Sequence, residues 1–408
     1  MREMNFGQLK QDLKHEIMQC FSYQYQMTDE EVTQIIDEAI QKRAQLQPIT
    51  LQEQLKLQKE LFDSFRRLDI LQELVDDPAI TEIMVNGPKE VFVETRGNIG
   101  RWDKSFESKT QLLDLIQQIV GRVNRIVNTS TPIVSARLPD DSRVHVVLEP
   151  IALNGPILTI RKFPDPMTME KLLAYGSISE EAAELLKKLT AARYNIFVSG
   201  GTGAGKTSFL NALSEFIPKT ERIITIEDSA ELNLSHIENL VRLETRDANA
   251  EGEGAIGIGD LIRESLRMRP DRIIVGEVRG KEALDMLQAL NTGHGGFSTG
   301  HGNNVKDMLS RLETMVWMGA ELPLPAIRSQ IVSAIDIMVH VARMRDKSRR
   351  VVAIEEVDRI ENGEIILNPL FSFQETSDQK ETRKVEGRLQ KTGTLKHKEK
   401  LRMAGYQL

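Results

Sequence analysis

The sequence has little cysteine, few aromatic residues and no long apolar run. Cys20 is the single cysteine among 408 residues, so an internal disulfide framework is excluded and we expect a reducing cytoplasm. Aromatic residues make up 5% of the chain and the formal net charge is -7, which argues against a stacking surface for nucleic acid or a general attraction to it. No stretch has the apolar length of a membrane helix, and the first residues lack the apolar core of a signal peptide, so we expect a cytoplasmic protein.

A glycine-rich segment is the most informative part of what is present. It fits the phosphate-loop pattern, in which spaced glycines precede a lysine and a hydroxyl residue. An apolar run at 194–199 predicts a buried strand before the loop, and residues 208–216 predict a helix after it. Lys206 is expected to reach the β- and γ-phosphates of a nucleotide, and Thr207 to hold Mg²⁺. The residues predicted to bind the nucleotide are Gly200, Gly201, Thr202, Gly203, Ala204, Gly205, Lys206, Thr207 and Ser208.

The patterning predicts an α/β protein with three regions and a tail. Residues 1–72 carry apolar side chains at helical spacing and predict a helical extension. Residues 73–163 predict a smaller mixed α/β domain, with a tight two-residue hairpin turn at Asn86-Gly87. Residues 164–375 predict a parallel α/β domain around the phosphate loop, with antiparallel strands towards its end. Residues 376–408 are rich in lysine and arginine, and we interpret them as a basic, solvated tail.

Two acidic segments could supply carboxylates for Mg²⁺ and for activating a water molecule. The first runs from Glu227 to Glu231 after an apolar run, and its alternative interpretation is a solvated strand end. The second is Glu277, which follows the apolar run from residue 272, although Gly276 stands where many such sites have aspartate. The coordination of Mg²⁺ would then be completed by Glu277 through a water molecule or by carboxylates of the first segment. The predicted metal ligands are Thr207, Glu227, Asp228 and Glu277.

Histidines and arginines complete the set of candidate site residues. His294 and His301 lie seven residues apart among glycines, a spacing that fits no usual zinc site, so a phosphate sensor is expected instead. Phosphoryl transfer also gains from a cation on the developing charge, often an arginine from a neighbouring subunit. A surface role is the alternative for each arginine, and the sequence does not choose among them. The candidate arginines are Arg137, Arg143, Arg263 and Arg267.

The order of these elements resembles the type II/IV secretion ATPase superfamily. That family is marked by a phosphate loop, an acidic box, a strand ending in Gly-Glu and a histidine box. The corresponding residues here are 200–208, 227–231, 276–277 and 294–301. Further phrases are similar to the CpaF-type branch, the motor of tight-adherence (Flp) pili, and they lie at 80–87, 159–163, 266–272, 277–280, 282–289 and 291–294. The resemblance covers about residues 70–375.

The resemblance implies a RecA-like fold for the phosphate-loop domain and a homo-hexameric ATPase that uses ATP and Mg²⁺. It implies that nucleotide binds between the N-terminal α/β domain and the RecA-like domain. The ring would lie on the cytoplasmic face of the inner membrane, attached through platform proteins of a pilus or secretion machine, with no nucleic acid as partner. Its cargo would be pilin subunits.

The resemblance also implies roles for individual residues. The predicted catalytic side chains are Lys206, Glu231, Glu277 and His294, together with the four arginines. Glu231 is the first candidate for activating water and Glu277 is the Walker B acid, while which of them acts as the base stays open. His301 ranks below His294 because Gly302 follows it, where the family usually has alanine.

Three alternatives compete with the pilus motor. A conjugation or type IV secretion ATPase would share every catalytic motif and differ in cargo. A nucleic-acid translocase lacks support because the chain is acidic and poor in aromatic residues. A nucleotide-gated scaffold without turnover would lack the acids, yet Glu227, Asp228, Glu231 and Glu277 are all present.

Overall fold

The computed structural model describes residues 6–20, 27–95, 97–123, 125–163, 167–246, 248, 253–375 and 384–406. The chain divides into two compact units, Met1–Pro164 and Asp165–Leu408. Within the described ranges, no helix combines the length and the apolar character needed to cross a membrane.

Three helices begin the first unit: α1 (Phe6–Cys20), α2 (Asp29–Leu46) and α3 (Leu51–Arg66). Both α2 and α3 start with a reciprocal capping box, in which a threonine and a glutamate three residues later satisfy each other's backbone N–H groups. Their apolar sides meet in a small core, whose fully buried members are Leu13, Ile17, Ile36, Leu57 and Leu61. The helices agree with the predicted helical extension.

The rest of the first unit is an antiparallel sheet with one long helix against it. A single 3₁₀ turn (Asp69–Leu71) and a short helix α4 (Gln72–Asp76) precede the sheet. Its strand order is β3-β2-β1-β6-β5-β4, and buried residues of α5 share its apolar core. The elements are β1 (Ile80–Asn86), β2 (Val91–Thr95), β3 (Asn98–Arg101), α5 (Lys109–Arg122), β4 (Ile133–Arg137), β5 (Arg143–Val147) and β6 (Ile157–Arg161).

The turn between β1 and β2 differs from the prediction. The structure has a longer connection, in which the Asn86 N–H donates to the Glu90 carbonyl at 2.8 Å. Gly87 has a φ of 78°, but Asn86 belongs to the strand. A two-residue turn over Asn86-Gly87 would need the N–H of residue 88 to close it, and Pro88 has none. The two-residue turn was therefore a wrong prediction.

The second unit is a nine-stranded sheet with helices on both faces. Its strand order is β15-β14-β13-β12-β7-β11-β10-β8-β9, in which the strands from β12 to β9 are parallel and the other three are antiparallel. The elements are α6 (Met169–Ala174), α7 (Glu180–Ala191), β7 (Ile196–Gly200), α8 (Lys206–Ser214), β8 (Ile223–Glu227), β9 (Leu240–Glu244), α9 (Ile258–Ser265), β10 (Arg272–Val275), α10 (Glu282–Leu290), β11 (Gly295–His301), α11 (Val305–Gly319), α12 (Leu324–Ala334), β12 (Ile337–Arg343), β13 (Arg349–Glu361), β14 (Glu364–Glu375), β15 (Gly387–Lys391) and α13 (Glu399–Met403).

Two apolar layers hold this sheet, one on each face. Residues of α6, α7 and α8 pack with one face, and residues of α9 to α12 pack with the other. The central strands are buried along their length because both of their faces are covered. This arrangement gathers the carboxyl ends of β7, β11, β10 and β8 at one edge of the sheet, where ligands of such sheets bind.

The C-terminal residues do not form the predicted solvated tail. In the part of that segment that the structure describes, β15 pairs with β14 as an edge strand and α13 follows it. The buried carboxylate of Glu356 on β13 accepts hydrogen bonds from the N–H groups of Lys396 and His397, which anchors the segment. Three leucines of its described part join the core on the α8 face of the sheet, and they are Leu389, Leu395 and Leu401.

Candidate active site

The phosphate loop joins the carboxyl end of β7 to the start of α8. Gly205 immediately precedes the helix and has a φ of 91°, a left-handed backbone that favours glycine. Gly200 lies so close to β12 that a β-carbon there would be 2.4 Å from the Val341 carbonyl oxygen. The start of α8 supplies N–H groups that lack partners within the helix, and its dipole favours an anion. The loop therefore has the backbone form that phosphate binding uses.

Lys206 is held beside this loop by side chains that follow two neighbouring strands. Its Nζ is 3.6 Å from Glu277 Oε1 and 3.3 Å from His301 Nδ1. Burial lowers the pKa of Lys206, and the negative charge of Glu277 opposes that change. A bound phosphate would thus meet a largely buried ammonium whose partners here are one carboxylate, one imidazole and, at 3.5 Å, the Gly201 carbonyl.

Glu277 stands at the centre of the contacts between charged groups. It follows β10 directly after Gly276, and its Oε1 is 2.9 Å from His301 Nε2. Its other oxygen, Oε2, accepts a hydrogen bond from Arg279 Nε at 2.8 Å. This hydrogen bond is the first cause of a raised Arg279 pKa, to which the nearby charges of Glu277, Asp228 and Glu231 also contribute. The charges of Glu277 and Glu231 also act on Lys206 of the phosphate loop.

The two histidines lie at opposite ends of β11. His301 ends the strand beside Lys206 and Glu277, and burial lowers the pKa of its ring. His294 precedes the start of the same strand, where its Nδ1 lies 2.8 Å from Thr292 Oγ1. Seven residues of strand span about 23 Å, which places His294 far from the phosphate loop. The ranking of His294 above His301 was therefore wrong.

The Glu227 side chain lies against Gly276, and each residue limits what the other position can accommodate. Glu227 Oε2 accepts the N–H groups of Glu231 at 2.6 Å and Leu232 at 2.9 Å, and so fixes the loop that carries Glu231. Burial raises the pKa of Glu227. A β-carbon on Gly276 would be 2.9 Å from Glu227 Cγ. Glycine occupies the position where related sites have aspartate because the Glu227 side chain fills that space.

The four predicted metal ligands do not converge on one point where they could together bind Mg²⁺. Among the residues that the structure describes, no group of three or more His, Cys, Asp or Glu side chains is placed to hold a metal ion. Glu227 binds backbone N–H groups and Asp228 contacts Thr245 and an arginine, so this geometry does not support either as a direct ligand. Thr207, in the first turn of α8, and Glu277, whose buried Oε1 accepts no hydrogen bond, do fit an Mg²⁺ ion carried by phosphates.

The four candidate arginines lie in two places. Arg263 and Arg267 lie on α9 with exposed side chains, where Arg263 pairs with Asp285 and Arg267 with Glu264. Neither contact belongs to the phosphate loop. Arg137 and Arg143, in the first unit, face each other across β4 and β5, and Arg161 on β6 continues this row.

Sequence reasoning missed two arginines near the phosphate loop. Arg279 contacts Glu277, and the spacing of two residues after the Gly-Glu pair could have indicated it. Arg349 begins β13 and its Nε donates to the Gly203 carbonyl at 2.9 Å. No local pattern marks Arg349, because the contact depends on the pairing of β12 with β7.

The fold and this site are those of a phosphate-loop ATPase with a RecA-like core. The family model described as "Type II/IV secretion system protein" matches residues 66–404 of the chain. The chain therefore belongs to the type II/IV secretion system protein family, and it is an ATP hydrolase.

Individual relatives agree with this assignment. A putative conjugal transfer protein of Mycobacterium tuberculosis is 38% identical over 293 residues, which cover 70% of this chain and 83% of that protein. The type IV secretion system protein VirB11 of Brucella suis is 34% identical over 304 residues, which cover 67% and 84%. The solved structure of the pilus retraction motor PilT with bound ADP has a TM-score of 0.52 at 21% identity, covering 74% of this chain and 80% of that one. This last likeness concerns the fold alone.

Proposed function

We propose that this chain is the ATPase of a ring-shaped motor that drives a pilus, secretion or conjugation machine. The observation that carries the proposal is the convergence of Lys206, Glu277 and His301 beside the phosphate loop. They lie at or just beyond the carboxyl ends of β7, β10 and β11, adjacent strands whose carboxyl ends share one edge of the sheet. Such an edge binds the phosphates and the reacting water of a nucleotide triphosphate.

In this proposal, phosphate oxygens replace Glu277 as the partner of the Lys206 ammonium. The loop and the start of α8 bind the phosphates through backbone N–H groups. Thr207 and Glu277 would hold Mg²⁺, which when bound neutralises charge that develops on the phosphates. His301, beside both Lys206 and Glu277, would respond to the presence of the terminal phosphate.

The general base is one of two acids, Glu231 or Glu277. Changing each to glutamine keeps the size of the side chain and removes its charge, so ATP binding should persist while hydrolysis is lost. Nucleotide titration and phosphate release on the same samples test this assignment. Near-normal phosphate release in both variants would remove both acids from the proposed role.

The motor is proposed to act as a homo-hexamer at the inner face of the membrane, through platform proteins. Arginines from the ring would complete each site, with Arg137, Arg143, Arg263 and Arg267 as candidates. Phosphate release per chain should then rise with protein concentration in step with assembly measured by light scattering. A fully active monomer would refute the shared site, whereas absence of Mg²⁺-dependent phosphate release would refute the motor itself.

Two cargoes are supported by different observations. The sequence segments at 266–272 and 282–289 favour pilin subunits of tight-adherence pili as the cargo, because these segments are similar to the CpaF-type branch. The relatives, which include a conjugal transfer protein and a type IV secretion system protein, favour transfer through a type IV machine. Adjacent pilin and platform-protein genes would support the first, and adjacent relaxase genes the second.

A further inference from the structure

Arg279 makes the contact that fixes the orientation of the Glu277 carboxylate. Its Nε and Nη2 both approach Glu277 Oε2, at 2.8 and 2.7 Å. Its Nη1 donates to Asp228 Oδ2 at 3.3 Å. One planar guanidinium therefore joins two acids that follow neighbouring strands, β10 and β8.

The second oxygen of Glu277 is left aimed at the phosphate loop. Glu277 Oε1 is buried and accepts no hydrogen bond of good geometry. It lies 3.6 Å from Lys206 Nζ and 2.9 Å from His301 Nε2. A buried carboxylate oxygen without a hydrogen bond is costly unless a ligand or ion completes it. The Glu277 carboxylate thus has one oxygen bound to Arg279, while the other faces the phosphate loop and is available to a ligand or ion there.

The backbone around Arg279 is also fixed. The N–H groups of Arg279 and Gly280 donate to Glu282 Oε1 at 2.6 and 2.8 Å. The preceding residue, Val278, is fully buried, and its N–H donates to the Thr299 carbonyl at 3.0 Å. The Arg279 side chain therefore extends from a backbone segment that is held by hydrogen bonds.

We propose that Arg279 is a positioning residue for hydrolysis, which holds Glu277 so that Oε1 points to the phosphates and the attacking water. The inference rests on the proposed function, because it needs Glu277 to act on bound nucleotide. Arginine suits the role because two of its donors can hold one oxygen while a third reaches another acid, which lysine cannot copy.

The contact between Arg279 and Glu277 is suited to orienting the carboxylate rather than to stabilising the fold. The Arg279 side chain is 63% exposed, and ion pairs in such positions add little to the free energy of folding. Misplacing a catalytic group by about 1 Å can nevertheless cost about 10²-fold in rate. Replacing Arg279 should therefore change turnover while the melting temperature and nucleotide binding stay close to those of the parent protein.

The test compares Arg279→Gln and Arg279→Lys with a matched control, Arg359→Gln. Arg359 on β13 also pairs with two acids, Asp358 and Glu361, and is 50% exposed, but it contacts no residue of the site. We expect kcat to fall about 10- to 100-fold in both Arg279 variants, with the Kd for a fluorescent ATP analogue within about twofold of the parent. Arg359→Gln should leave both quantities unchanged.

A second variant pair separates positioning from independent action. In the Glu277→Gln background, Arg279→Gln should not lower the residual rate of hydrolysis any further, because the carboxylate that it positions has been removed. An equal loss in both backgrounds, a large loss of nucleotide affinity, or normal turnover of Arg279→Gln would each overturn the inference. Absence of ATP hydrolysis by the parent protein would instead overturn the proposed function, and the inference with it.

Discussion

Two polar clusters at opposite edges of the nine-stranded sheet, around Lys206 and around Asn195, differ in how completely their groups are paired. At the carboxyl edge, the shortest polar contact of Lys206 Nζ is 3.3 Å, to His301, and a Glu277 oxygen is buried without a hydrogen bond. At the amino edge, the Asn195 side chain donates to the Ala334 carbonyl at 2.7 Å and accepts the Gly296 N–H at 3.0 Å. Incomplete pairing beside a phosphate loop is typical of a site that awaits a ligand, whereas full pairing of a buried amide such as that of Asn195 is typical of a contact that holds the fold together.

The C-terminal segment strengthens this contrast. Lys400 on α13 pairs with Asp336 at the amino edge, at 2.5 Å, and Asp336 also accepts the Asn195 N–H at 2.7 Å. Tyr194 donates its hydroxyl to the His397 carbonyl at 2.6 Å. The amino edge is thus covered by the segment that the sequence presents as a tail. Substitutions at the carboxyl edge should therefore lower ATP turnover, and substitutions at the amino edge should lower the stability of the fold.

The largest effect is expected at Lys206. Lys206→Ala should lower ATP turnover about 10³-fold, because the ammonium stabilises charge on the transferring phosphoryl group. The melting temperature should hardly change, since the contacts of the ammonium are long, at 3.3 Å to His301 and 3.6 Å to Glu277. Phosphate release measured beside thermal melting checks both parts. Parental turnover in this variant would show that the carboxyl edge is not the site.

The two histidines offer the most direct comparison of the edges. His301→Ala should lower turnover about 10- to 100-fold, because it contacts both Lys206 and Glu277. His294→Ala, at the other end of the same strand, should stay within about twofold of the parent. Steady-state phosphate release on both variants checks the prediction. Equal losses would contradict the assignment of chemistry to one edge.

At the amino edge the expected loss is one of stability. Asn195→Ala leaves buried backbone groups of Ala334 and Gly296 unpaired, which should cost about 2–3 kcal/mol in the free energy of unfolding. The exposed Asn291, with a single weak contact at 3.4 Å, is the control, and Asn291→Ala should cost less than about 0.5 kcal/mol. Urea titration measures both. Turnover of folded Asn195→Ala should remain near parental, and its selective loss would contradict the comparison.

The smallest effect concerns Tyr194 in alkaline solution. Burial is the first cause of a rise in the pKa of Tyr194 to about 12. The folded protein therefore keeps the phenol protonated where the unfolded chain, with a pKa of about 10, has lost the proton. The resulting stability is complete below about pH 10 and is lost as the pH rises towards 12.

The control for this effect is Tyr194→Phe, which has no phenol to titrate. The difference in unfolding free energy between parent and variant should shrink between about pH 10 and 12. Denaturant titrations across that range measure it. A constant difference would show that the Tyr194 hydroxyl is not buried at the covered edge.

Sequence patterns predicted the elements that carry the site because these elements are apolar and periodic. The strands before the phosphate loop and before Glu277 are fully buried, so their apolar runs end within about two residues of the observed ends. The glycine spacing of the loop and the capping residues of the helices are local properties. Local chemistry decides such features, and sequence is sufficient for them.

Long-range contacts account for what the patterns missed. β11 is rich in glycine and carries no strand pattern, so nothing local shows that His301 and His294 lie at opposite ends of one strand. In the C-terminal segment, Leu389 and Leu395 are separated by polar residues and a glycine, so no apolar run marks them. Their burial depends on the anchoring carboxylate of Glu356 on β13.

The close approach of Gly276 to Glu227 has a consequence for how this site can vary. An aspartate at position 276 would displace the Glu227 side chain, which also shapes the loop of Glu231. A shorter side chain at position 227 would make room for it but would release the loop N–H groups. The residues at positions 276 and 227 therefore constrain each other, and a side chain at the first changes what the second can hold in place.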